Sequence, residues 1–167
     1  MVTDRTSLGQ DSNFREADGY MIDLCSQYQS TLIYSCLENF NVVDAMGGYA
    51  GGQYAKDNSL WWAASVEFLY RNLKSGLLEV DTCPDGLSYE GPENLCRHYM
   101  NLGPSQNDRS MYIYFVASKA LMQLVSKYSM MDWKCVNTRL NRAFFEVVLH
   151  IYAEGDVEFN KKLLLSS

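Results

Sequence analysis

Two histidines, His98 and His150, are the chain's whole supply of imidazole, the side chain best suited to general-base work or metal ligation near neutral pH. His98 follows Cys96 and Glu93 closely, so a small enzyme built on His98 with either of them is one arrangement to weigh. Cys96 and His98 stand two positions apart, and helical residues at that step do not share a face. Zinc ligands on a helix want a three- or four-residue step, so no metal site is expected. His150 falls in the last turn of an expected helix, where a cation offsets the helix dipole. Gly47 and Gly52 carry the G-x-x-x-x-G spacing of a phosphate loop, but Gln53 stands where that chemistry needs lysine. No hydrophobic strand leads into it, so the stretch reads as a flexible helix–helix connection. Glu90 and Glu93 flank Pro92 and read as acids stabilising a helix N-terminus rather than as a catalytic pair. G-x-S-x-G, H-E-x-x-H and kinase-like sets do not occur. The expectation is a non-enzymatic protein with no catalytic residue, cofactor or metal.

Charge supplies the remaining lead. The chain is acidic overall, at net −6. From Ser75 to Asp108 there are six acids against Arg97 alone, whereas from Arg109 to Ala153 there are six bases against Asp132 and Glu146. Glu79, Asp81, Asp85, Glu90 and Glu93 fall within one short stretch, with Leu87 and Tyr89 between them. Such a surface repels nucleic acid and steers a basic partner, and an aromatic anchor within it slows release. The expected partner-binding residues are therefore Glu79, Asp81, Asp85, Tyr89, Glu90 and Glu93. The bases of the C-terminal part are spread out, and an acidic chain lacks the footprint of a nucleic-acid binder. They are expected to pair with acids of neighbouring helices.

The elements that must hold these residues follow from apolar spacing. The chain is of single-domain length, and its twelve tyrosines suit rings packed inward with hydroxyls at the rim. Residues 1–17 are polar and expected to be flexible, with one helical domain over 18–167. Met21, Leu24, Cys25, Tyr28, Leu32, Cys36, Leu37 and Phe40 predict a first helix near 18–40, capped by Asp18. A second helix runs from Asn58 or Ser59 to Ser75 and stops at Gly76. Its adjacent Trp61 and Trp62 cannot both face one stripe, which predicts one at a surface or boundary. Leu77–Val80 and Leu87–Glu90, around the turn Cys83-Pro84-Asp85-Gly86, predict a β-hairpin flap near 77–90. A short helix follows over 92–100. A fourth helix, over 109–128, is apolar around much of its girth and is expected to be central. A fifth runs from an Asp132 cap to about Ala153, with Leu163 to Leu165 docking after it. The fold class is all-α, or mostly α: a bundle of about five helices with a short hairpin.

Five cysteines without a CxxC pair argue against a disulfide framework and for a reducing, cytoplasmic setting. The N-terminus has no apolar segment of a signal peptide, and no apolar run is long enough to span a membrane.

The stretch around Trp61 to Tyr99 reads SLWWAASVEFLYRNLKSGLLEV, a turn, then YEGPENLCRHYMNLGP. It resembles the small helical immunity proteins that accompany bacterial contact-dependent growth-inhibition toxins and related polymorphic toxins. In those an aromatic-rich helix ends at GL(L/I)-x-V, and a short helix and proline follow. The resemblance implies an inhibitor that binds a cognate toxin domain and occludes its active site. Such toxins are often nucleases with basic clefts, for which an acidic surface is an apt complement. It transfers no functional positions, so the residues named above rest on charge and composition alone. The alternatives are the small enzyme using His98 and a self-associating scaffold, such as a homodimer, that buries Trp61, Trp62 and tyrosines.

Overall fold

Trp61 and Trp62 are both buried, at 1% and 4% exposure, and each indole N–H finds a carbonyl, Ala45 O at 3.1 Å and Tyr99 O at 3.0 Å. The expectation of one tryptophan at a surface or boundary is therefore corrected. Their helix is enclosed on several sides, so neither indole needs to reach solvent. The computed structural model describes residues 14–104 and 107–161, with side chains from residue 23 onward. Among the described residues seven regular elements follow one another: α1 (Phe14–Leu37), α2 (Ser59–Lys74), β1 (Leu78–Thr82), α3 (Gly91–Leu102), β2 (Tyr114–Ala117), α4 (Lys119–Lys127) and α5 (Arg142–Glu154). Short 3₁₀ turns lie at Tyr49–Tyr54, Arg109–Tyr112 and Trp133–Cys135.

The chain is mostly helical with one small antiparallel sheet. α1 begins before the expected start, so Asp18 lies inside it rather than capping it, and residues 14–17 are helical rather than part of a flexible tail. Residues 1–13, the side chain of Met21 and Leu163 to Leu165 lie outside the described residues. α1 ends at Leu37 instead of Phe40, because Phe40 leaves the helix to exchange both main-chain hydrogen bonds with Phe115 of β2.

α2 is the central helix. Phe68 and Leu69 are fully buried, and so are the polar side chains of Ser65 and Asn72. Arg71, 2% exposed, donates to Val157 O at 3.1 Å, to the Tyr28 hydroxyl at 3.0 Å and to Glu67 Oε2 at 3.0 Å, and its guanidinium stacks 4.7 Å from the Phe159 ring centre. A buried cation is tolerable only with such a full set of partners. The Tyr152 hydroxyl donates to Asn72 Oδ1 at 2.8 Å, and Asn72 Nδ2 to Phe68 O at 2.8 Å, closing a polar seam from α2 to α5. Tyr28, Phe68, Phe40 and Phe115 pack ring against ring around it, each fully buried ring of this kind contributing roughly 1.5–3 kcal/mol.

The glycine-rich connection packs against the core at its start and at Gly52, while Gly47, Gly48, Gly51 and Gln53 are exposed. Val42, Ala45 and Met46 are fully buried, and Ser65 Oγ joins the Trp61 indole on Ala45 O. Gly52 sits at φ +70°, and a Cβ there would lie 2.5 Å from Gly47 O, so only glycine fits.

The expected helix over 109–128 is corrected. Residues 109–112 form a 3₁₀ turn, 114–117 a strand, and only 119–127 an α-helix. A run of aromatic and β-branched residues, Tyr112-Ile113-Tyr114-Phe115-Val116, favours a pleated segment, and Ser118 Oγ accepts from Leu121 N at 3.2 Å to start α4 afresh. β1 forms as expected, but its partner is β2 rather than Leu87–Glu90, with Leu78 opposite Ala117, Glu79 opposite Val116 and Val80 opposite Phe115. The 87–90 segment is irregular: β1 gains the better-patterned strand, and the hairpin does not form. The last helix is likewise shorter. Asp132 caps only the 3₁₀ turn, accepting from Lys134 N at 2.9 Å, and Asn141 caps α5 by accepting from Phe144 N at 3.1 Å. Between them, buried Gln29 of α1 ties down both Arg139 O (3.1 Å) and Asn141 N (2.7 Å).

Candidate functional site

β1 leaves the core at Leu78, which is buried, and runs outward through exposed Glu79, Val80, Asp81 and Thr82. Pro84 and Gly86 then turn the chain, with Leu87 N bonding Pro84 O at 3.1 Å and Gly86 at φ +74°. Arg109 reaches across from the next 3₁₀ turn and donates to Asp85 O at 2.5 Å. The Cys83 thiol donates to Leu87 O at 3.2 Å. Gly91, at φ +77°, and Pro92 start α3.

The six expected partner-binding residues separate into three environments. Strand alternation sends Glu79 and Asp81 to the outer face of the sheet, opposite the face of Leu78 and Val80. There Asp81 Oδ2 accepts from Asn39 Nδ2 at 2.8 Å. Asp85, Tyr89 and Glu90 lie on the irregular return. Among the described residues, Glu93 alone of the six forms an ion pair: Lys74 Nζ of α2 lies 2.6 Å from its carboxylate, and the Tyr70 hydroxyl 3.5 Å. The lysine's hydrogen bond holds the Glu93 carboxyl below its usual pKa. Glu93 is thus a brace between α2 and α3. The other four acids are exposed and form no ion pair among the described residues.

Beside these acids, on the core-facing side of β1, lies an apolar groove of about 380 Å³ whose walls include Leu73, Val80, Leu87, Tyr89, Leu95 and Ile113. The Tyr89 ring closes one side and packs on His98, with ring centres 5.3 Å apart. Leu87 and Tyr89 are expected from the sequence between the acids of the flap, but the groove is not, since α2 and the residue before β2 contribute walls that spacing along the flap does not reveal.

His98 belongs to a cluster the sequence reading missed. Its Nε2 lies 3.3 Å from Asp108 Oδ1 and 3.1 Å from Ser110 Oγ, and Asp108 Oδ1 also accepts from Ser110 N at 2.8 Å. Asp108, expected to cap a long helix, caps the 3₁₀ turn instead. Its carboxyl is pushed down to about 2, chiefly by the Ser110 hydroxyl and amide and then by His98. A nucleophile–base–acid relay uses the two ring nitrogens for different partners. Here serine and aspartate share one nitrogen, and Ser110 is fully buried. The cluster pins α3 to the start of β2. Nor does His98 meet its expected companions: Cys96 is fully buried, its thiol pKa raised by that burial, and Glu93 is held by Lys74. Among the described residues no group of histidines, cysteines and carboxylates is arranged to hold a metal ion, and no helix is long and apolar enough to cross a membrane.

Comparison with protein-family models, with curated proteins and with solved structures finds no match.

Proposed function

We propose that this protein is a non-enzymatic inhibitor that binds a basic partner through the β1–α3 flap, and that the partner is a cognate bacterial toxin domain, as the resemblance of residues 61–99 implies. The observation that carries this reading is the state of Glu79, Asp81, Asp85 and Glu90: exposed, close in the chain, and without an ion pair among the described residues. Carboxylates so placed give up little hydration until a cation arrives, and then contribute both steering and contact. Tyr89 and the groove walls supply the apolar part that an interface of charges alone lacks. Inhibition would be steric and electrostatic, the flap covering a positively charged cleft.

Burial of Trp61 and Trp62 removes the tryptophan part of the surface on which the self-associating alternative rests, whereas Tyr54 and Tyr112 stay exposed. The test is a charge reversal, Glu79→Lys with Asp81→Lys and Asp85→Lys. It should leave the circular dichroism spectrum unchanged, weaken binding to the proposed cognate toxin domain by at least about tenfold, and reduce protection of cells that make that toxin. Full protection by the folded triple variant would remove the flap from the interface.

A further inference from the structure

We propose that the open edge of β1 accepts an extended, basic segment of the partner as an added strand, with an apolar side chain of that segment seated in the groove beside Val80. This rests on the reading of the flap as a partner-binding surface and specifies how it binds. Phe115 uses both its amide (2.8 Å) and its carbonyl (3.0 Å) on Phe40, away from β1. Val80 is the residue opposite Phe115, so the two form the non-hydrogen-bonded kind of antiparallel pair. The Val80 N–H and C=O therefore point to the far edge of β1, where no strand lies among the described residues. Val80 is 50% exposed and also lines the groove. One residue thus offers a strand-pairing donor and acceptor and a wall of the apolar recess.

Charge decides the occupant. Proteins commonly protect such edges with lysine, proline or a bulge. This edge has a register irregularity between Val80 and Thr82, which limits pairing to the stretch before it, and acids at Glu79 and Asp81. A second copy docking β1 on β1 would set these carboxylates against their own kind, which disfavours pairing. A lysine- or arginine-bearing strand meets the opposite sign. Strand alternation then fixes its pattern: basic residues on the outer face toward Glu79 and Asp81, apolar ones toward the groove.

The probe is an acetylated and amidated Lys-Val-Lys-Val-Lys peptide titrated into the isotope-labelled full chain. The Val80 amide resonance should shift and gain protection from exchange. N-methylation of the peptide backbone at residues of one parity should weaken binding by at least about tenfold, and at the other parity by less than about twofold. A Glu-Val-Glu-Val-Glu peptide should not bind. Equal binding by both N-methylated sets, with the glutamate peptide still excluded, would overturn strand addition and leave the charge reading standing. Binding of the glutamate peptide as tightly as the lysine peptide would overturn both. Failure of the lysine peptide to bind, or shifts remote from Val80, would also overturn the added strand.

Discussion

Arg71 and Asp108 show how single polar residues organise this chain. Arg71 is buried and satisfied on three sides by Tyr28, Glu67 and the Val157 carbonyl. Replacing it by methionine keeps much of the stem packing but leaves a buried hydroxyl and carbonyl without their donor. Arg71→Met should cost about 2–4 kcal/mol in urea unfolding, and a loss below about 0.5 kcal/mol would contradict the role assigned to the network. Asp108 is a pH element. Its folded-state pKa, about 2, is depressed below the ordinary value of 3.8. A depressed carboxyl adds stability above its unfolded pKa, and that stability is lost as pH falls through the folded value. Asp108→Asn should therefore lower stability at neutral pH and flatten the acid decline between roughly pH 4 and pH 2. A variant that keeps the wild-type acid profile would show that Asp108 does not contribute to it.

Local caps decide where the elements fall. Ser118 stops the apolar run of 109–128 from being one helix, and Asn141 rather than Asp132 opens α5. Ser118→Ala should cost about 1 kcal/mol, read as a lower melting temperature with the wild-type fold retained. Helix α2, the short helix behind Pro92 and strand β1 were legible in the sequence because each carries its own pattern and punctuation. The pairing of β1 was not. Leu87–Glu90 is near in sequence and has turn chemistry before it, whereas the alternation of Tyr112–Val116 was masked by residues that also fit a helical stripe. The groove was half legible for the same reason. Leu87 and Tyr89 lie in the flap, but Leu73 and Ile113 come to it only through tertiary packing. The roles of Glu93 and His98 needed coordinates altogether, since Lys74 and Ser110 meet them from other elements.

At the scale of the whole molecule, the uneven charge of the sequence survives folding. Lys127, Arg139 and Arg142 are exposed and form no ion pair among the described residues, and Lys134 meets only Asp132, two residues away, at 3.7 Å, contrary to the expectation that these bases pair with acids of neighbouring helices. The acids of the flap, apart from Glu93, likewise form no ion pair among the described residues, and Arg109 reaches only the main-chain carbonyl of Asp85. Exposed like charges held close together weaken the monomer slightly, and they become favourable when a partner of opposite sign covers them. The screening length in physiological salt is about 8 Å, so the attraction works at short range and is sensitive to ionic strength. The most direct test is the association rate constant with a candidate toxin domain as the proposed partner, measured by stopped flow across a salt series. It should fall by roughly tenfold or more from low to high salt, and Glu79→Lys with Asp81→Lys and Asp85→Lys should abolish that dependence. A wild-type rate indifferent to ionic strength would contradict the account.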